Sequence, residues 1–119
     1  MLGIFPNPPD IVAHPATEEK LEAVLDWCDS NSYIAIPFGD RVLEVDDTSR
    51  AARIQAGVFG PALEDQLRPH GFTLRHFPQS FAGSTLGGWI ATRSAGHYAT
   101  NQTHIDEFVE SVRMLTPTG

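Results

Sequence analysis

Apolar residues fall in short runs that proline, glycine and acidic clusters interrupt, and their spacing changes along the chain. Residues 10–14, Asp-Ile-Val-Ala-His, are apolar and rich in β-branched side chains, and Pro15 ends them, which predicts a short strand. Thr17 suits a helix N-cap, and Glu18 and Glu19 follow in the first turn, where carboxylates favour the helix dipole. Leu21, Val24, Leu25 and Cys28 then recur at helical spacing, predicting an amphipathic helix that Asn31 closes. Tyr33 to Pro37 reads as a buried strand. Strand, helix, strand in this order predicts a βαβ unit with parallel strands.

Past Phe38-Gly39 the period changes to two. Arg41–Val45 and Arg53–Gly57 flank the polar turn Asp46–Ser49, which predicts a hairpin. Gly60 and Pro61 open a second helix with Leu63 and Leu67 on one face, and Gly71 lies just past its end. Phe72 to Phe77 is extended, and Pro78 stops it. Ser84 or Thr85 caps a third helix from Leu86 to about Arg93, followed by a polar loop over residues 94–104. The last segment has two readings. Ile105, Phe108, Val109 and Val112 fit a helix, and periodicity favours it; Val109, Arg113 and Leu115 before Pro117-Thr118-Gly119 fit a strand ending at a turn. The fold class is α+β, a βαβ start followed by a hairpin and helices.

Composition narrows the function. The 119 residues carry 8 basic and 15 acidic side chains, a net charge of −7. A non-specific nucleic-acid binder or a polybasic membrane anchor needs the opposite sign. The longest apolar runs are far too short to cross a bilayer, and residues 1–10 lack the basic region and apolar core of a signal peptide. One cysteine, Cys28, excludes an internal disulfide and a multi-thiolate zinc site, so a reducing cytoplasm is the expected location.

Most candidate chemistry weakens on inspection. His97 and His104, with Asp106 and Glu107 nearby, match no metal-ligand spacing, so solvated histidines are the better reading and no metal is expected. Surface or turn roles suffice for His14, His70 and His76. Cys28 lies on an apolar helix face and reads as an inert thiol. Ser84 and Ser94 lack the strand-to-helix setting of a nucleophile elbow, and neither dinucleotide fingerprint is present. No catalytic residue is assigned.

Residues 78–98 are the informative stretch. Gly87 and Gly88 near a helix start are costly, about 1 kcal/mol each relative to alanine, and imply close approach by a backbone or a ligand. First-turn amides beside the Ser84 and Thr85 hydroxyls make an anion site, with Arg93 at the helix's other end. The competing reading is a glycine-containing helix packed tightly on a sheet.

The run Ser84-Thr85-Leu86-Gly87-Gly88-Trp89-Ile90-Ala91-Thr92-Arg93-Ser94-Ala95-Gly96 resembles the FAD-binding PCMH-type domain of the vanillyl-alcohol oxidase flavoprotein superfamily. Its look is that of the alkyldihydroxyacetonephosphate synthase (alkylglycerone-phosphate synthase) branch and the bacterial FAD-linked oxidases. Val112-Arg113-Met114-Leu115-Thr116-Pro117-Thr118-Gly119 fits as well, as do the opening Pro9-Asp10-Ile11-Val12 with Pro15-Ala16-Thr17-Glu18-Glu19 and the hairpin ending Ile54-Gln55-Ala56-Gly57. The resemblance implies a single partial domain over residues 1–119, with a βαβ subdomain at 1–39 and an incomplete second subdomain at 40–119. It implies non-covalent FAD, contacted by Pro78, Gln79, Ser80, Ser84, Thr85, Gly87 and Gly88 and by Thr92, Arg93, Ser94 and Ala95. Ala82 and Gly83 stand where relatives carry a Glu-Phe pair. It also implies a strand over Val109–Thr116.

One departure from the family pattern matters. A glycine-rich loop that grips the FAD pyrophosphate follows the Ile-Pro-Phe-Gly strand in relatives, whereas Asp40-Arg41-Val42-Leu43 follows Gly39 here. The chain then reads as an internally shortened N-terminal portion of a larger flavoenzyme. The expectation is weak FAD binding or none, and self-association through an uncovered sheet edge. Intact relatives oxidise hydroxy acids or alcohols or make ether-lipid precursors. The other readings are a non-catalytic remnant and a small α/β module that binds another anion.

Overall fold

The computed structural model describes residues 11, 13–33, 39–98 and 104–114. The chain forms two compact units, residues 1–36 with 115–119 and residues 37–114.

The first unit holds helix α1, Glu18–Ser30. Thr17 is its N-cap, the Oγ1 accepting from the Lys20 amide at 3.4 Å. Asn31 caps the other end, its Nδ2 donating to the Trp27 carbonyl at 2.8 Å. Leu21, Val24, Leu25 and Cys28 are half-buried, and no residue of α1 is fully buried. Trp27 and Tyr33 stack at 5.2 Å. Ile11, Ala13 and His14 are in no strand. Asp10, Val12 and residues 34–38 lie outside the described residues, and with them the predicted parallel pairing.

The second unit opens with the hairpin of β1, Val42–Asp46, and β2, Ala51–Ile54. The strands are antiparallel, and their register slips at Leu43, because Val42 faces Ile54 and Glu44 faces Arg53. The Asp46 carboxylate builds the turn. It accepts from the amides of Thr48 at 2.9 Å and Ser49 at 3.2 Å and from the Ser49 hydroxyl at 2.7 Å. The Ser49 hydroxyl, then the Ser49 and Thr48 amides, hold its pKa below the usual carboxylate range. Arg50 completes the turn in the left-handed region. β2 therefore begins two residues earlier than the alternation predicts, and it ends at Ile54 rather than Gly57. The backbone turns at Ala56-Gly57 and sends the Ala56 and Val58 carbonyls towards the third helix.

Helix α2, Gly60–Leu67, starts with proline in its first turn and buries Leu63 and Leu67. A 3₁₀ turn, Arg68–His70, follows, and Gly71 stops it at φ 76°. Helix α3 spans Leu86–Thr92; its N-cap is Thr85, not Ser84. Among the described residues the core is Val58, Leu63, Leu67, Leu86, Trp89 and Ile105, with His76 the buried polar residue. Ile105–Phe108 form a 3₁₀ turn, so the helical reading holds for one turn. Residues 109–114 are in no strand, against the expectation for Val109–Thr116, whose last two residues lie outside the described set. The Ile105 amide is held by the Ser94 carbonyl at 3.0 Å and its side chain is buried, which fixes the turn where it is. The described residues combine helices with a small antiparallel sheet. No helix among the described residues is long and apolar enough to cross a membrane.

Candidate functional site

The site is built on α3 and has an inward and an outward face. On the inward face Leu86 and Trp89 are buried. Trp89 lies 5.4 Å from the His76 ring and stacks on Phe81 at 6.0 Å. Its indole Nε1 donates to the Ser84 Oγ at 2.6 Å, which lets the ring be buried without an orphaned donor. Ser84 donates in turn to the Ser80 carbonyl at 2.8 Å and meets the Ser80 hydroxyl at 2.9 Å.

The first turn of α3 is wired into the protein. The Leu86 amide donates to the Val58 carbonyl at 3.0 Å, Gly87 to Ala56 at 2.7 Å and Gly88 to the Thr85 Oγ1 at 3.3 Å. The expected anion site at this helix start is corrected, because its amides already have partners. Gly87 is bare for the same reason. A Cβ there would sit 2.8 Å from the Ala56 Cβ and 3.0 Å from the Ala56 carbonyl oxygen. The tight-packing reading holds for Gly87. Gly88 is different: it is exposed, and a Cβ there would meet only the Thr85 Oγ1, at 3.3 Å.

The far end of α3 is also tied down. Thr92 donates its hydroxyl to the Gly88 carbonyl at 2.9 Å. Arg93 takes the left-handed conformation, and its guanidinium pairs with Asp106 at 2.9 Å (Nη2) and 3.1 Å (Nε). Arg93 is thus not an uncommitted cation, and its bond keeps the Asp106 pKa low. Ser94 donates its amide to the Trp89 carbonyl at 2.9 Å, and its hydroxyl shares a 2.8 Å hydrogen bond with His76 Nε2. Ala95 bridges to His104.

Of the residues expected to contact flavin, Ser80, Ser84 and Thr85 meet at the start of α3, beyond the buried Pro78 and exposed Gln79. Thr92, Arg93, Ser94 and Ala95 form its end. The sequence reading missed the histidine that braces the far end of α3 through Ser94. His76 is 1% exposed and boxed by Trp89 and by Phe108 at 6.2 Å. Burial pushes its pKa below the ordinary value. The signal for its burial was its place between Leu74 and Phe77 in an apolar stretch. No group of histidine, cysteine and carboxylate side chains among the described residues is suited to a metal.

Comparison with known proteins supplies the cofactor. The family described as FAD binding domain matches residues 34–119. This chain belongs to that FAD-binding family. The alkyldihydroxyacetonephosphate synthase of Dictyostelium discoideum is 33% identical and aligns with 99% of this chain and 24% of its own length. An uncharacterized FAD-linked oxidoreductase of Escherichia coli (strain K12) is 32% identical over 87% of this chain and 21% of its own. A solved alkyldihydroxyacetonephosphate synthase structure superposes with a TM-score of 0.76 at 34% identity, covering 88% of this chain and 24% of that one. The chain therefore spans about a quarter of the length of these relatives. The Dictyostelium alignment runs over 144 positions against 119 residues here, so at least 25 positions hold residues of the relative alone. The E. coli alignment, 105 positions over 87% of the chain, has almost no such surplus.

Proposed function

We propose that this chain is the flavin-holding portion of an FAD-linked oxidase or an alkyldihydroxyacetonephosphate-synthase-like enzyme, and that α3 receives the neutral, ring end of FAD on its outward face. Gly88 carries the reading. It costs helix stability, no neighbouring backbone requires it, and it leaves open space on the face flanked by Ser80, Ser84 and Thr85 at one end and Thr92 to Ala95 at the other.

The described residues suit a flat neutral group and do not suit a diphosphate. A buried diphosphate needs several amide donors or cations. The α3 amides are already bonded, and Arg93 is engaged by Asp106. The synthase alignment carries at least 25 positions that this chain does not have, room enough for a separate diphosphate-holding stretch in that relative. FAD, when bound, supplies reversible two-electron transfer. The chain's own part is to hold and orient: Thr85 and Ser84 shape one end of the face, and the His76–Ser94 bond fixes the other.

Titration with FAD and with riboflavin tests this. Both are expected to saturate at micromolar ligand, with affinities within about tenfold, 1.4 kcal/mol, of each other. FAD binding far tighter than riboflavin would contradict it, as would no binding of either by a chain folded by circular dichroism.

A further inference from the structure

A two-stranded hairpin leaves a row of amides and carbonyls bare on the outer edge of each strand, and such rows invite another strand to add. On the β1 side Arg41 faces inward: its carbonyl accepts from the Gln55 amide at 2.9 Å, and its amide donates to Gln55 Oε1 at 3.1 Å. The groups either side of it, the Asp40 carbonyl and the Val42 amide, point outward, and a side chain of α2 takes both. Val42 donates to Gln66 Oε1 at 2.9 Å, and Gln66 Nε2 donates to the Asp40 carbonyl at 2.9 Å. Gln66 Nε2 also donates to the Ala62 carbonyl at 3.1 Å, one turn back on α2. Both amide hydrogens and the oxygen of the carboxamide are used, which fixes its orientation.

The pattern shows what the carboxamide imitates. In a parallel pair, one residue of the neighbouring strand donates to the carbonyl before, and accepts from the amide after, the residue it faces. Gln66 does both around Arg41. We propose that Gln66 is a built-in stand-in for a parallel strand, which closes this end of the β1 edge to a strand from a second copy of the chain. Further along, the edge is protected differently. The register slip at Leu43 distorts it, and Glu44 there is charged and paired with Arg53 at 3.2 Å. Between these devices lies an open cleft of about 250 Å³ lined by Val42, Leu43, Glu44, Val45, Gln66 and His70, with Leu43 half exposed. A second copy's strand would enter there once Gln66 is removed.

Two measurements test the proposal. In the wild-type chain, hydrogen exchange at the Val42 amide is expected to be as slow as at the paired Gln55 amide; free exchange at Val42 would overturn the assignment, and this needs no variant. In Gln66→Leu, Val42 exchange is expected to quicken by about tenfold or more relative to Gln55. Sedimentation of that variant is expected to show self-association at concentrations where the wild-type chain shows less. A folded Gln66→Leu with the wild-type sedimentation profile would overturn the guarding role.

Discussion

Gly87 and Gly88 are neighbours in α3, yet a methyl group added at the first meets Ala56 at 2.8 Å, and at the second meets only a hydroxyl at 3.3 Å. The inward face of the helix is glycine because the 56–58 backbone lies against it. The outward face has no backbone against it, and a side chain there would meet only the Thr85 cap hydroxyl. One adjacent pair thus separates a glycine that the fold requires from the one assigned to the proposed flavin contact, and substitutions on each face pull the two apart.

The largest effect is expected on the inward face. Trp89→Ala removes a buried ring and leaves Ser84 without its indole donor, so urea unfolding should show a loss of about 3–5 kcal/mol. Gly87→Ala should cost about 1–3 kcal/mol by the same assay, since Ala56 and its carbonyl must move. Gly88→Ala should change stability by less than about 1 kcal/mol, the gain in helix propensity offsetting strain on the Thr85 cap. Equal losses at the two glycines would erase the distinction between the faces.

A pH effect follows from His76. Burial holds its folded-state pKa below 6.5, so below that pH the unfolded chain takes up a proton that the folded chain refuses. This contribution to stability is complete above about pH 6.5 and is lost as pH falls towards the folded-state value. His76→Phe should flatten the fall of stability as pH drops below about 6.5; an unchanged slope would assign it to other groups. The smallest effect is expected at the exposed pair. Asp106→Asn frees Arg93 and should tighten FAD binding by about threefold at low salt, and less at high salt, with little change in stability.

Local chemistry made much of this legible in sequence. Thr17, Asn31, the Pro61 start, the Gly71 stop and the span of α3 all rest on side chains within a few residues of their effect. The resemblance carried by Ser84 to Gly96 reached the family. What depended on distant backbone was not legible. The Ala56 and Val58 carbonyls occupy the α3 amides from about 30 residues away, a non-local pairing that no periodicity reports. His76 looked like a turn residue because the aromatic rings that enclose it come from α3 and from the 3₁₀ turn at Ile105–Phe108. The end of β2 was misplaced because alternation continues through Gln55 to Gly57 while the backbone there is turned aside to meet α3.

The central claim is that the outward face of α3 receives flavin at Gly88. The direct test is FAD fluorescence titration of the wild-type chain beside Gly88→Val, with circular dichroism establishing that both are folded. The account predicts saturable binding by the wild-type chain and at least a tenfold loss in the variant, which keeps its fold. A folded Gly88→Val that binds FAD as the wild-type chain does would contradict it.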